Sequence, residues 1–499
     1  MRLRRTVICL TVLQALAATP ALASGYHFGS QSASTQGTAN AGTAQAADPS
    51  VLFYNPAGMS YLEGTQASGV LDLVIPSTKF EDRGSVTLWG RPTGGSNGGD
   101  FVNNTVVPHA YLTHRYNDSL SAGIGIFVPF GSKTDYNADW VGRYNIIGTE
   151  LKTVAINPSF ALKVSDRLRI GAGITAQYID GKLAKGADFG SGAMNSLVEA
   201  QVKANAIPGV PEAIVRAAVV NQLNGIIKTV SGNPTYSGRV DVKGDDWGFG
   251  YNLGLMFDID QRTRVGLAYR SKIKHTLEGD AKWDVQRPAD NLANLLNAAI
   301  PGAGSLVRAN LLAAYTDSPA TLKVTTPESL SVSFFKQFDK VALMADITRT
   351  RHSRFQELRV DFANNLADSL TLEHWEDTTR YAVGVEYPWS DTLKLRGGIA
   401  IDESPVDSGN RTPSIPDNKR HWVSGGLNWQ VTKQGSLDLA LSYIYLPKSQ
   451  IDMYDNGGQT NAAGSPICNQ AGNTSSCATL RGRYDISSWL LGMQYNYRF

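Results

Sequence analysis

A serine framed by glycines, Gly94-Gly95-Ser96-Asn97-Gly98, has the Gly-x-Ser-x-Gly spacing of a nucleophile elbow, where a sharp strand-to-helix turn exposes the hydroxyl for acyl transfer. Here the pentapeptide lies in a Gly-rich stretch with no such turn around it, and we read it as a chance match. The seven histidines stand at 27, 109, 114, 275, 352, 374 and 421, without the short spacings that gather metal ligands. No catalytic group, metal or cofactor is expected, and the chain is not read as an enzyme. Cys9 falls in an N-terminal apolar run, which leaves Cys468 and Cys477. In an oxidising compartment these two pair as a small surface disulfide; two free thiols are the alternative.

The elements that carry these residues are strands. Trp489, Leu491, Met493, Tyr495, Tyr497 and Phe499 alternate with Leu490, Gly492, Gln494, Asn496 and Arg498, and the sequence stops there. One greasy, aromatic-rich face at period two is the pattern of a lipid-facing barrel strand. The same alternation recurs from about Thr65 onward in about fourteen segments, an even number as bacterial barrels require. Leu168 to Tyr178, Trp247 to Ile259, Leu393 to Ile401 and Leu437 to Tyr445 are clear examples. Tight connections such as Asn117-Asp118-Ser119 and Asp260-Gln261-Arg262 alternate with long excursions, among them Leu183 to Arg239 and Gly279 to Thr321. Short periplasmic turns opposite long outer loops are the asymmetry of outer-membrane barrels.

The N-terminus agrees. Arg2, Arg4 and Arg5 precede an apolar run from Val7 to Leu16 and then Ala21-Leu22-Ala23, the layout of a cleaved export signal spanning 1–23. Beyond it no stretch approaches the ~18 consecutive apolar residues of a membrane-spanning helix, so entry into a membrane must be by strands. Without the leader, 43 Lys and Arg face 44 Asp and Glu, which gives no reason to expect a nucleic-acid partner. The fold expected is therefore all-β: a transmembrane antiparallel barrel over 65–499 in the outer membrane. Between leader and first strand, 24–64 is rich in Gly, Ala, Ser and Thr and carries an apolar cluster of Val51, Leu52, Phe53, Tyr54, Met59 and Tyr61. A barrel of about fourteen strands is too wide to be filled by its wall side chains, so this segment is expected to fold inward as a hatch.

Specific residues also resemble a known family, the FadL family of outer-membrane transporters for long-chain fatty acids and hydrophobic compounds (OmpP1/FadL/TodX type). Asn55-Pro56-Ala57 matches its plug motif. Lys243-Gly244, Trp247-Gly248-Phe249-Gly250 and Tyr269-Arg270-Ser271 look like its mid-barrel hairpin. Ile399-Ala400, Asp402, Ser404-Pro405-Val406, Asn410-Arg411, Ile415-Pro416-Asp417, Arg420 and Trp422 resemble its most recognisable loop, and Pro327-Glu328 and Asn496-Tyr497 with Phe499 also agree. The resemblance covers the whole mature chain. It implies a fourteen-strand barrel plugged by an N-terminal hatch, and passive uptake: capture outside, transfer to an inner pocket, and sideways release through a wall gap into the membrane.

Each step assigns residues. Ile214, Val219 and Leu223 in one long loop, and Leu292, Leu295 and Leu296 in the other, fall at helical spacing. The resemblance places an outer ligand groove between these loops; the stripes packing on each other is the alternative. The family uses basic residues for the fatty-acid carboxylate, and alignment puts Lys185 near one such position, with Lys182 as substitute, and Arg359 near another. Pro108, Pro129 and Pro158 sit in three consecutive strands, and proline removes a ladder donor. The family's gap involves the third strand, which makes Pro129 with Gly123, Gly125 and Gly131 the expected opening. The partners implied are a long-chain fatty acid or another hydrophobic small molecule, outer-membrane lipid, and the barrel assembly machinery through C-terminal Phe499. A monomer is the simplest expectation. Aromatic or aliphatic hydrocarbons are the alternative cargo, and a general porin is the third reading.

Overall fold

The computed structural model describes residues 25–468 and 474–499; the expected leader lies outside them. Fourteen antiparallel wall strands follow one another around a closed ring. In order they are Thr65–Asp82, Thr105–Arg115, Leu120–Phe127 with Gly131–Asp135, Gly148–Lys163, Leu168–Ala187, Gly238–Asp260, Thr263–Arg270 with Ile273–Asp284, Ser318–Thr326 with Ser329–Gln337, Ala342–Thr350 with Glu357–Phe362, Ser369–Leu372 with Thr378–Pro388, Leu393–Asp402, Arg420–Gln430, Gly435–Tyr454 and Thr479–Arg498. The first strand pairs with the last from Gln66↔Arg498 to Asp82↔Gly482, which leaves no sheet edge. Five wall strands are written as two pieces because the ladder is interrupted between them.

Period-two chemistry sorts the wall into two faces. On the sixth strand Trp247, Phe249, Tyr251 and Leu253 are exposed outward while Asn252 is buried toward the lumen. On the last, Trp489, Leu491, Met493 and Tyr495 are exposed, and Leu490 and Gln494 are buried. The lipid side is thus apolar and the interior mixed, as a bilayer demands of strands with no water to bond on the outside. Several strands run further into the outer loops than their alternation indicated: the fifth continues to Ala187 and the sixth begins at Gly238. Past the membrane these ends no longer need an apolar face, so their sequences stop alternating while the ladder persists.

The two longest connections carry helices: Phe189–Ala204 and Glu212–Val230 in one, Gln286–Ala299 and Ala303–Ala314 in the other. Residues 25–64 pack in the lumen as short helical turns, Ala33–Gln36, Thr43–Gln45, Val51–Tyr54 and Pro56–Tyr61, and nearly every side chain there is buried. Asn55 explains the Asn-Pro-Ala bend. Its side-chain oxygen accepts from the Ala57 amide at 3.1 Å, and its Nδ2 donates to the carbonyls of Leu255 and Leu267, a pair facing each other across the sixth and seventh strands. Gly254 makes room for this: a Cβ there would lie 2.1 Å from the Asn55 oxygen. Wall side chains hold the rest of the segment by its carbonyls, Arg264 through Ala44 and Gln45, Arg380 through Ala39, and Arg270 through Phe53.

Candidate functional site

Three spaces are distinguished by their lining residues, one among the outer-loop helices and two bordered by the N-terminal segment. The outermost is a groove of about 780 Å³ between the helices Phe189–Ala204 and Ala303–Ala314, lined by Phe189, Ala193, Val307, Leu311 and Tyr315 and closed on one side by Thr474 to Ser476. Asp188 caps the first helix, accepting from the Ser191 amide at 3.0 Å, and burial raises its carboxyl above the ordinary range. Of the six groove residues expected from sequence, Val219, Leu223, Leu292 and Leu296 instead form the buried core that joins the two loops, with Leu295 packed against it. Ile214 is 61% exposed. None of the six lines the groove, because the most apolar stripes of amphipathic helices are drawn into their mutual contact and the next faces are left for the surface.

Below the groove lies an apolar cavity of about 70 Å³, walled by Leu151, Leu183, Leu322, Val324, Phe355 and Leu358, with Tyr26 among its lining residues. Its charged members are few. Lys182 pairs with Glu150 at 3.4 Å, and Glu150 is also held by Lys152. Glu373, 1% exposed, takes hydrogen bonds from Trp375 Nε1 at 3.2 Å and Thr412 Oγ1 at 3.1 Å. Those neutral donors do not offset its desolvation, which pushes its carboxyl up to about 8. Lys185 and Arg359 lie elsewhere. Lys185 is buried against Asp455 at 2.7 Å, and Arg359 reaches Glu357 at 2.8 Å and Asp368 at 3.0 Å. Both charges are engaged by acids of this chain; Lys182, three residues before Lys185 on the same strand, is paired too but borders the cavity.

A layer of rings separates this cavity from the third space. Tyr26 stacks on Trp375 with centroids 5.3 Å apart and meets Phe130, Phe355 and His352 edge-on at 5.8, 5.8 and 6.2 Å. Beneath it an inner cavity of about 90 Å³ is lined by polar groups: Arg270, Arg380, Asp346, Asp402, His27 and His352, with serines and threonines between them. Burial lowers His27 to about 4 and His352 to about 3, so both rings are neutral at pH 7 and the arginines supply the positive charge.

Beside the rings the strand ladder is interrupted. The ladder between the second and third strands ends at Ala110↔Ile126, and beyond the interruption Gly131–Asp135 pairs with the fourth strand. Pro108 lies on the stretch of the second strand above this end and Pro129 inside the interruption, so neither can donate across it. Pro158 disturbs less: it and Asn157 drop out of the ladder to the fifth strand but stay opposite Ile124 and Gly125 of the third. The N-terminal segment satisfies the freed backbone. Phe28 N–H donates to Pro129 O at 3.0 Å, Gly131 N–H to Tyr26 O at 2.6 Å, and Gln31 Nε2 to Val128 O at 2.8 Å. Thr153 serves both Phe130 groups, and the Val128 amide donates to His109 Nδ1 at 3.3 Å. Gly123 and Gly125 face inward just below, where an added Cβ would meet Leu52 at 2.9 and 3.1 Å, and Gly131 resumes the strand.

Sequence reading did not single out Tyr26, Gln31, Glu373 or the inner arginines as site residues. Arg270 was visible within Tyr269-Arg270-Ser271; nothing in the sequence marks Glu373, which lies in the interruption of the tenth wall strand between Leu372 and Thr378. Cys468 and Cys477 are bonded to each other, with Cα atoms 5.8 Å apart.

Comparison with known proteins gives the same architecture a family. The model of the OMPP1/FadL/TodX outer membrane protein transport family matches residues 14–499. The chain is 38% identical to the outer membrane protein NMB0088 of Neisseria meningitidis serogroup B over 509 residues, covering 100% of this chain and 99% of the relative. It is 26% identical to the long-chain fatty acid transport protein of Escherichia coli K12, covering 99% and 98%. The crystal structure of a Pseudomonas aeruginosa FadL homologue superposes with a TM-score of 0.77 at 22% identity, covering 95% of this chain and 100% of that one. This chain therefore belongs to the OmpP1/FadL/TodX family of outer-membrane transport proteins for hydrophobic compounds, which are channels and not enzymes.

Proposed function

We propose that this barrel takes up long-chain fatty acids passively, from the outer groove through the apolar cavity and out sideways between the second and third wall strands. The observation that carries the reading is a lysine on the rim of a mostly apolar cavity: Lys182, beside Leu183, Leu322 and Leu151. Each buried methylene contributes about 0.8 kcal/mol toward capture, but a carboxylate losing its water needs a cation nearby. Lys182 shares Glu150 with Lys152 and lies 3.9 Å from Asp180, so two cations face two acids and an incoming carboxylate competes with these for Lys182. The family match and the fatty-acid transport relatives support the same cargo.

Residues 25–64 serve as the hatch in this reading. They cap the wall interruption, and a ligand that pushes Tyr26 aside withdraws the partner of Gly131. The cavities are small: about 150 Å³ accommodates benzene and drug-sized ligands need about 300 Å³ or more, so cargo must displace rings and hatch as it passes. The apolar lining also fits aliphatic or aromatic hydrocarbons, the second reading, in which Lys182 is a spectator. Complementation separates them. Cells lacking their own fatty-acid uptake should grow on oleate when they express this protein and fail to do so with Lys182→Glu; no growth on oleate with the wild type would favour the hydrocarbon reading.

A further inference from the structure

The inner cavity differs from the outer one in a way that passive passage of a hydrophobic molecule does not require. Most of its lining residues are polar, and it contains a guanidinium, Arg270, that has no carboxylate within ion-pair distance among the described residues. Arg270 Nη2 donates to Phe53 O at 2.7 Å, and its guanidinium carbon lies 4.4 Å from the Phe53 ring centre and 5.4 Å from that of Phe127. The acids of the cavity lie with other partners: Asp402 is 3.9 Å from Arg420, and Asp346 accepts from Thr348 at 2.9 Å. His352, 1% exposed, turns an Nδ1 with no hydrogen-bond partner to the same space. A cation left without a counter-ion in a low-dielectric interior is costly unless an anion visits it.

Size and position narrow the visitor. At about 90 Å³ the cavity falls short of the roughly 150 Å³ that accommodates benzene, which suits a carboxylate and its first methylenes and not a long chain. Phe127 is the last residue before the wall interruption and Phe130 lies within it, so an anion at Arg270 sits beside the opening. Tyr26, which lines the apolar cavity that borders Lys182, meets Phe130 and His352, which line this space. We propose that the inner cavity is a second station for the carboxylate of the transported acid, in which Arg270 receives the head group from Lys182 while the chain is still threading past Tyr26, and holds it at the wall opening. This rests on the fatty-acid reading above.

The test compares initial uptake of oleate and of methyl oleate, which keeps the chain and loses the charge, in cells expressing the wild type, Arg270→Gln, Arg270→Lys and Lys182→Gln. Replacing a charged hydrogen-bonding partner by a neutral one should lower the oleate-to-methyl-oleate ratio at least ten-fold in Arg270→Gln, and Arg270→Lys should recover most of it. Equal loss of both ligands in Arg270→Gln and Arg270→Lys would overturn the proposal, since the arginine would then only anchor Phe53. An unchanged ratio in Arg270→Gln with a lowered one in Lys182→Gln would overturn it while leaving the fatty-acid reading intact. A wild type that does not distinguish the two ligands would remove the fatty-acid reading and this station together.

Discussion

Gln31 offers the sharpest handle on the wall opening. Its Nε2 donates to Val128 O at 2.8 Å and to Phe28 O at 3.1 Å, tying the third strand's interruption to the hatch from inside. Gln31→Ala removes both bonds, at about 1 kcal/mol each, and leaves two buried carbonyls unmatched. Against this, the glutamine's own Oε1 is buried without a partner, and its removal relieves part of that cost. The net effect is about 1–2 kcal/mol, or a five- to thirty-fold rise in the population with the interruption open. The assay is amide exchange at Gly131, bonded to Tyr26 O, and at Phe28, bonded to Pro129 O; neither bond involves the Gln31 side chain, so both report opening and not the deletion itself. Amides in the ladder up to Ala110↔Ile126 serve as the internal reference. Exchange at Gly131 and Phe28 should accelerate by that factor while the reference stays put, and initial oleate uptake should rise. Unchanged exchange at both sites would refute the view that the N-terminal segment latches the wall.

Other consequences follow from the same contacts. Asn55→Ala deletes the bonds to Leu255 O, Leu267 O and the Ala57 amide, about 2–4 kcal/mol in all, and should raise ion conductance through the barrel in planar bilayers; an unchanged conductance would contradict a seated hatch. Glu373, held neutral by burial, favours the folded outer region fully below its unfolded value near 4.3; as pH rises toward about 8 the unfolded form ionises first, and each pH unit in that window removes about 1.4 kcal/mol. Protease resistance of the outer loops should therefore fall from pH 5 to pH 8, and Glu373→Gln should flatten the profile; a wild type as steep as the variant would refute this. Leu296→Ala opens a cavity in the core between the outer helices and should cost about 2–5 kcal/mol there, lowering capture of a fluorescent fatty acid while the barrel keeps its heat-modifiable gel mobility.

The barrel was readable in the sequence because a bilayer imposes a strict rule on its wall. Phe249 and Gly250, or Leu491 and Gly492, must face different media, and that shows as alternation. Where the lipid constraint ends, so does the signal, which is why the upper part of the fifth strand falls within the expected excursion from Leu183 although it is paired. The apolar stripes of the two long loops pack on each other, the alternative that the sequence left open, since periodicity reports which side is apolar and not which neighbour covers it. The cations were the least legible. Lys185 and Arg359 stand where alignment points, yet their partners Asp455 and Asp368 come from remote sequence, and only three dimensions show them engaged. Pro129, by contrast, announced the break because a missing donor is a local property.

The most direct test of fatty-acid uptake is competition on the purified barrel, displacing a bound fluorescent long-chain fatty acid with oleate or with a hydrocarbon of matched length. The account predicts that oleate displaces the probe, that the hydrocarbon does so at least ten-fold more weakly, and that Lys182→Gln erases the difference. Equal displacement by the two in the wild type would contradict it.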